Sequence, residues 1–110
     1  MQKVEIVRGT TNTLQITVMD ALGAPYNLGA GERIMFGLKK DPKDKVAFFQ
    51  KTAEIVDQGL FKVILVPEDT ENLSEDMYYY DVGLQSGNDF FNIIPYNPFV
   101  VIPNITARGV

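Results

Sequence analysis

The stretch Met77-Tyr78-Tyr79-Tyr80-Asp81-Val82-Gly83-Leu84 decides the fold class. Aromatic and β-branched residues favour a pleated, half-buried surface, so the stretch is predicted to be a β-strand. Side chains alternate between the two faces of a strand. The face that carries an acid is assigned to solvent, and comprises Met77, Tyr79, Asp81 and Gly83. The other face is assigned to the core, and comprises Tyr78, Tyr80, Val82 and Leu84.

Three further segments show the same two-residue alternation and are separated by turn sequences rich in glycine, asparagine, aspartate and proline. Each is therefore predicted to be a strand with one buried face. The residues assigned to the core are Leu14, Ile16 and Val18, then Ile34, Phe36 and Leu38, then Phe61, Val63 and Leu65.

Two segments alternate less clearly. Residues 46–55 are predicted to form one irregular edge strand, in which charged side chains discourage unwanted pairing. Residues 90–94 and 99–102 are predicted to form a strand that is interrupted at 95–98 and lies at an edge or is bent there, because Pro95 and Pro98 cannot donate to a ladder. With the first strand near Lys3 to Val7, the total is about seven, which predicts an all-β, immunoglobulin-like antiparallel sandwich without a disulfide.

Length and composition favour a single domain and exclude several chemistries. The chain has 110 residues, which suits one domain, with residues 103–110 as a tail or link. It contains no histidine and no cysteine, so catalytic triads, zinc hydrolase sites and disulfides cannot be built from it. No apolar run is long enough to cross a bilayer. The net charge of −4 argues against nucleic-acid binding, which depends on basic patches.

The acidic residues offer two functional hypotheses that we consider weak. A cluster between Glu68 and Asp76 suggests calcium, but it lacks the spacing of a calcium loop, so a solvated segment is favoured. Paired acids can hydrolyse glycosides, yet any chain with 14 acids contains such pairs. The sequence therefore predicts no enzyme activity, no cofactor and no metal.

The aromatic residues are more numerous than the core of a thin sandwich can hold. Single exposed aromatics need no explanation, but tyrosine and phenylalanine are enriched at the centres of protein interfaces. The candidate partner contacts are Tyr79, Phe90, Phe91 and Tyr96. A sugar-binding platform is the alternative, and the absence of tryptophan favours protein contact.

Seven motifs, in order and spacing, resemble those of a known family. The segments are Arg8 to Thr11, Leu14 to Val18, Gly23 to Leu28, Met35 to Lys39, Pro67 to Thr70, Tyr78 to Val82, and the set Phe99, Val101 and Pro103. In these motifs the chain resembles the immunoglobulin-like domain of phage and prophage tail and baseplate proteins, such as the amino-terminal domain of lactococcal upper baseplate proteins.

The resemblance implies a structural module with no catalytic residues. Its partners would be other virion proteins or copies of itself, in a homo-oligomer, and it would bind neither nucleic acid nor membrane. It would reside in the host bacterial cytoplasm during assembly and then in the virion. The alternative function is a carbohydrate-binding module that assists attachment to a glycan.

The position of the tyrosine strand after the Pro67 turn predicts a tyrosine corner. In that motif a tyrosine hydroxyl bonds to the backbone a few residues upstream. Tyr78 and Tyr80 are the two candidates, and both are expected to specify the fold.

Overall fold

The computed structural model describes residues 3–105, which form two β-sheets packed face to face. Eight strands and one helical turn follow one another along the chain. Their ranges are β1 Val4–Val7, β2 Asn12–Thr17, β3 Glu32–Lys39, β4 Phe49–Thr52, β5 Glu54–Asp57, β6 Leu60–Leu65, α1 Pro67–Thr70, β7 Met77–Ser86 and β8 Asp89–Ile102.

The strand order confirms the predicted fold class. The larger sheet has the order β1-β8-β7-β3-β4, and the smaller has the order β2-β6-β5. Neighbouring strands are antiparallel except for β1, which runs parallel to the last four residues of β8. Two mainly antiparallel sheets with this division of strands between them form an immunoglobulin-like sandwich.

Apolar side chains from the inner faces of both sheets fill the core. The alternation predicted for β3, β6 and β7 is confirmed, because their assigned core residues are buried, apart from Leu84, which is half-buried. Leu14 is also half-buried, whereas Ile16 and Val18 are buried as predicted. Residues buried to 2% exposure or less include Ile16, Ile34, Phe36, Leu38, Phe61, Val63, Leu65, Tyr80, Val82, Phe99 and Val101.

The single strand predicted for residues 46–55 is wrong. The chain instead forms β4 at one edge of the larger sheet, crosses to the other layer at Ala53, and forms β5 at one edge of the smaller sheet. Ala53 is only 7% exposed, and its amide donates to the Ile34 carbonyl at 2.8 Å. A small side chain suits this crossing, because Ala53 belongs to the buried core cluster.

The predicted interruption of the last strand at residues 95–98 is also wrong. β8 is continuous over 14 residues. It accommodates its prolines because its pairing with β7 is irregular. The segment of β7 from Tyr80 to Gly83 advances by three residues, whereas the segment of β8 paired with it, from Asn97 to Asn92, advances by five. Two β-bulges account for the difference, and bulges bend and twist a strand.

β8 is an edge along only part of its length. β1 pairs with residues 99–102, whereas residues 89–98 have no strand on that side among the described residues. The prolines of β8 lie in this open part, where the missing amide donors are tolerated. The edge that the sequence predicted is therefore present, but it is confined to the first ten residues of the strand.

A group of polar contacts closes one end of the sandwich around α1. The buried Thr70 hydroxyl accepts a hydrogen bond from the Gly9 amide at 2.9 Å. Asp69 accepts one from the Val66 amide at 2.8 Å and forms an ion pair with Lys51. Lys51 also donates to the Ile64 carbonyl at 3.0 Å, so it joins an edge of one sheet to the other.

Tyr78 makes the upstream contact that defines a tyrosine corner. Its side chain is buried, and its hydroxyl donates to the Ser74 carbonyl at 2.9 Å. The Tyr80 ring is also buried and stacks on Phe36 at a centroid distance of 5.5 Å. Tyr78 therefore makes the hydrogen bond expected of one of these two residues, and Tyr80 lies within the core.

Removal of this hydroxyl in Tyr78→Phe is expected to lower the free energy of unfolding by about 0.5–1.5 kcal/mol. The ring contacts with Phe48 and Lys40 remain in the variant, so the loss reports the hydrogen bond. Urea denaturation measures it, with Tyr79→Phe on the outer face as the matched control. Equal stability of the Tyr78→Phe variant and the wild type would refute a tyrosine corner.

Candidate partner-binding site

The outer face of β7 and β8 carries three of the four predicted contact residues. Tyr79 projects from β7 on the side opposite the buried Tyr80, and it is half-buried. Its ring meets that of Tyr96 edge to face, at a centroid distance of 5.7 Å and an interplanar angle of 85°. Tyr96 is 61% exposed, so this aromatic pair stands on the surface of the larger sheet.

Phe90 joins the same face because Gly83 leaves room for its ring. A Cβ atom added at Gly83 would lie 2.1 Å from Cζ of Phe90, so the ring occupies the space of the missing side chain. A glycine inside a strand often marks such a close approach. The Phe90 side chain is nevertheless 57% exposed, which leaves part of the ring accessible to a partner.

Phe91 does not belong to this surface. It lies opposite Leu84, whose side chain packs against the core, so it points to the inner side of the sheet. It is 54% exposed. The four predicted contacts therefore divide into three on one face and one on the other, as adjacent residues of a strand must.

The three aromatic residues surround a groove of about 200 Å³ on the outer face. Gly37 of β3 lies opposite Asp81 of β7 in the sheet, and its lack of a side chain lowers the floor of the groove between them. The lining residues include Gly37, Lys39, Tyr79, Asp81, Phe90 and Tyr96. We call this set the aromatic groove.

Asp81 is the acidic group of the aromatic groove, and it is half-buried rather than fully in water. Burial raises the pKa of the Asp81 carboxyl, while the positive charge of Lys39 and a hydrogen bond from Asn92 act in the opposite direction. The bond from Asn92 is long, at 3.4 Å. The carboxylate therefore carries a desolvation cost that its neighbours offset only in part.

The other acids that the sequence grouped together serve structural contacts at separate places. Asp76 bonds to Lys40 at 2.5 Å, Asp69 pairs with Lys51, and Glu75 lies 3.8 Å from Arg8. Within residues 3–105, no three of the acids come together as a metal site. No helix among these residues has the length and apolar character needed to cross a membrane.

Sequence reasoning missed the contribution of β3 to the groove. Alternation placed Gly37 and Asp81 on outer faces, but it did not show that they lie opposite each other. Cross-strand register depends on the turns and on the pairing of distant segments. The tyrosine strand alone therefore carried no signal for Lys39 or Gly37 as neighbours of its outer face.

Comparison with known proteins supports the fold and no more. No model of a known protein family matches the sequence, and no curated protein matches it. Among solved structures, the fold is similar to part of the endo-beta-1,4-mannanase from Thermotoga petrophila, with a TM-score of 0.57 and 10% sequence identity. The match covers 94% of this chain and 18% of the mannanase.

Proposed function

We propose that this domain is a non-catalytic assembly component of a phage or prophage virion, in its tail or baseplate. It acts by binding another virion protein, or a second copy of itself, through the outer face of the larger sheet. The motif resemblance supports the virion setting. The observation that carries the binding role is the aromatic groove, where Phe90 and Tyr96 are more than half exposed.

The placement of the aromatic rings supports a contact surface. Tyr79, Phe90 and Tyr96 lie on two adjacent strands of a packed sheet, and Gly83 seats the Phe90 ring. Rigid aromatic side chains lose little conformational freedom on binding and often dominate interface energetics. Asp81 is the one carboxylate among the described residues of the groove. Glycoside hydrolysis uses a pair, which supports binding over catalysis.

The proposal is tested by the mass of the assembled species. Light scattering is measured over a range of concentrations, for the wild-type domain alone and for its mixture with purified tail proteins. A complex of the domain with itself or with a tail protein is expected. Tyr96→Ala is expected to weaken it about tenfold or more, as for a residue central to an interface. Ile55→Ala is the matched control, because Ile55 is 66% exposed on the smaller sheet.

Three outcomes would contradict the proposal. The first is a wild-type domain that stays monomeric and binds no tail protein. The second is a complex that Tyr96→Ala leaves intact. The third is a complex that Ile55→Ala disrupts as strongly, which would place the contact on the smaller sheet.

A carbohydrate-binding module remains the second candidate function. The rings of half-buried Tyr79 and exposed Tyr96 offer apolar surfaces to a sugar, and the Asp81 carboxylate beside them offers a hydrogen-bond acceptor. A glycan array distinguishes the two functions. Saturable glycan binding that is lost in both Tyr79→Ala and Tyr96→Ala would favour this second function, and its absence would favour assembly.

A further inference from the structure

We propose that the aromatic groove receives an arginine side chain of the partner protein, with the guanidinium group against Asp81 and the aromatic rings. This inference rests on the proposed binding function and names the chemistry of the partner at that same surface. Four features of the groove carry it: an incompletely paired carboxylate, open aromatic rings, a small volume and the charge of the domain.

The carboxylate of Asp81 lacks the strong cationic partner that other acids of this protein possess. Asp69 and Asp76 each form an ion pair with a lysine. Asp81 instead receives the 3.4 Å bond from Asn92, and no ion pair to it forms within 4 Å among residues 3–105. A guanidinium group can donate two parallel hydrogen bonds to such a carboxylate.

The aromatic rings favour a flat cation over a compact one. Tyr79, Tyr96 and Phe90 line the groove with Asp81, and cations are attracted to the faces of aromatic rings. Guanidinium is planar, stacks on such faces and is less strongly hydrated than the lysine ammonium. Arginine therefore suits this combination of rings and carboxylate better than lysine does.

The groove is the size of a side chain rather than of a large ligand. Its volume of about 200 Å³ lies below the roughly 300–1,000 Å³ of sites for drug-sized molecules. The net charge of −4 also favours a basic partner, since opposite potentials steer association. Both features fit the insertion of one basic side chain from a protein surface.

The cost of Asp81 to the free domain supports a binding role. Its pKa is raised by burial, so the protonated carboxyl group contributes stability that is fully present below the unfolded pKa and is lost as the pH rises through the folded pKa. At neutral pH, Asp81→Asn is therefore expected to keep or raise the melting temperature. A charged group that lowers the stability of the folded domain is typical of a functional site.

The probe for the test is N-acetyl-arginine amide, with N-acetyl-citrulline amide as its neutral match. NMR titration of the folded wild-type domain is expected to show saturable shifts of the Gly37, Tyr79 and Asp81 amides with the arginine compound alone. Asp81→Asn is expected to weaken this binding about tenfold, as for a lost charge-assisted hydrogen bond. Asp89→Asn, which removes the same charge at an exposed site, is expected to leave it unchanged.

Binding of the arginine compound to the Lys39→Gln variant distinguishes a binding role of Asp81 from a purely structural role. The positive charge of Lys39 acts on the Asp81 carboxyl and offsets part of the rise in its pKa that burial causes, so Lys39 competes with a bound cation. Its removal is therefore expected to tighten binding of the arginine compound. No saturable shift with arginine, equal shifts with citrulline, or unchanged binding in Asp81→Asn would each overturn the proposal. Saturable shifts with a sugar instead would overturn it in favour of the glycan function.

The two proposals fail in different ways. If Tyr96→Ala disrupts the complex with tail proteins but Asp81→Asn does not, the assembly function stands and the arginine contact is refuted. If the wild-type domain forms no complex, the assembly function fails whatever the titration shows.

Discussion

Phe36→Ala is expected to lower the free energy of unfolding by about 3–5 kcal/mol, the usual cost of truncating a buried phenylalanine. Phe36 is 0% exposed. Its ring stacks on Tyr80 at 5.5 Å and on Phe49 at 6.2 Å, and it meets Phe99 edge to face at 6.2 Å. These neighbours lie on three other strands of the sheet, so they cannot all move in to fill the space.

Urea denaturation at constant pH measures the effect, with Phe91→Ala as the control. Phe91 is 54% exposed, so its truncation is expected to cost about 1 kcal/mol or less. Equal losses for the two variants would mean that the aromatic cluster around Phe36 does not form the centre of the core.

Gly59→Ala is expected to cost about 3 kcal/mol, from the combined effect of backbone strain and overpacking. Gly59 has a φ angle of +68°, a left-handed conformation in which a Cβ atom is unfavourable. The added Cβ would also lie 2.8 Å from the Val18 carbonyl oxygen and 2.8 Å from Cβ of Pro25. Both neighbours are held in place. The Val18 amide donates to the Gly59 carbonyl at 2.8 Å, and Pro25 forms a β-bridge with Met19.

Gly23→Ala separates the two contributions. Gly23 has a φ angle of +83° with no atom within 4 Å of an added Cβ, so it reports the backbone strain alone, about 1–2 kcal/mol. Thermal or urea unfolding of both variants gives the difference. A Gly59→Ala variant no less stable than Gly23→Ala would show that the β5–β6 turn is not packed against Pro25.

The strands that sequence predicted well are those in which one face is buried and the other is not. In β3, buried Ile34, Phe36 and Leu38 alternate with more exposed residues, and β7 follows the same rule from Tyr78 to Val82. Burial of one face forces a period of two on the sequence. The pattern of apolar residues therefore indicated both the strand and its orientation.

The errors occurred where tertiary structure overrides local pattern. Nothing in residues 46–55 marks Ala53 as the point at which the chain leaves one sheet for the other, because alanine is common in many settings. In β8, Pro95 and Pro98 predicted an interruption, but bulges keep the strand continuous. A bulge depends on the partner strand, so one strand alone does not reveal it.

The candidate site was predicted in part. Exposed Phe90 and Tyr96 were recognised as surplus to the core, and Tyr79 was assigned correctly to an outer face. Phe91 was grouped with them although it is adjacent to Phe90, and alternation along a strand places adjacent residues on opposite faces. The groove itself depends on Gly37 and Asp81 meeting across two strands that are 44 positions apart, which only the folded structure shows.

The central claim is that the outer face of the larger sheet is the contact surface. Hydroxyl-radical footprinting with mass spectrometry tests it directly, comparing the free domain with the domain bound to purified tail proteins. We expect oxidation of Phe90 and Tyr96 to fall in the complex, while exposed Met19 and Ile55 oxidise as before. Unchanged oxidation of Phe90 and Tyr96, with protection of Met19 and Ile55 instead, would contradict it.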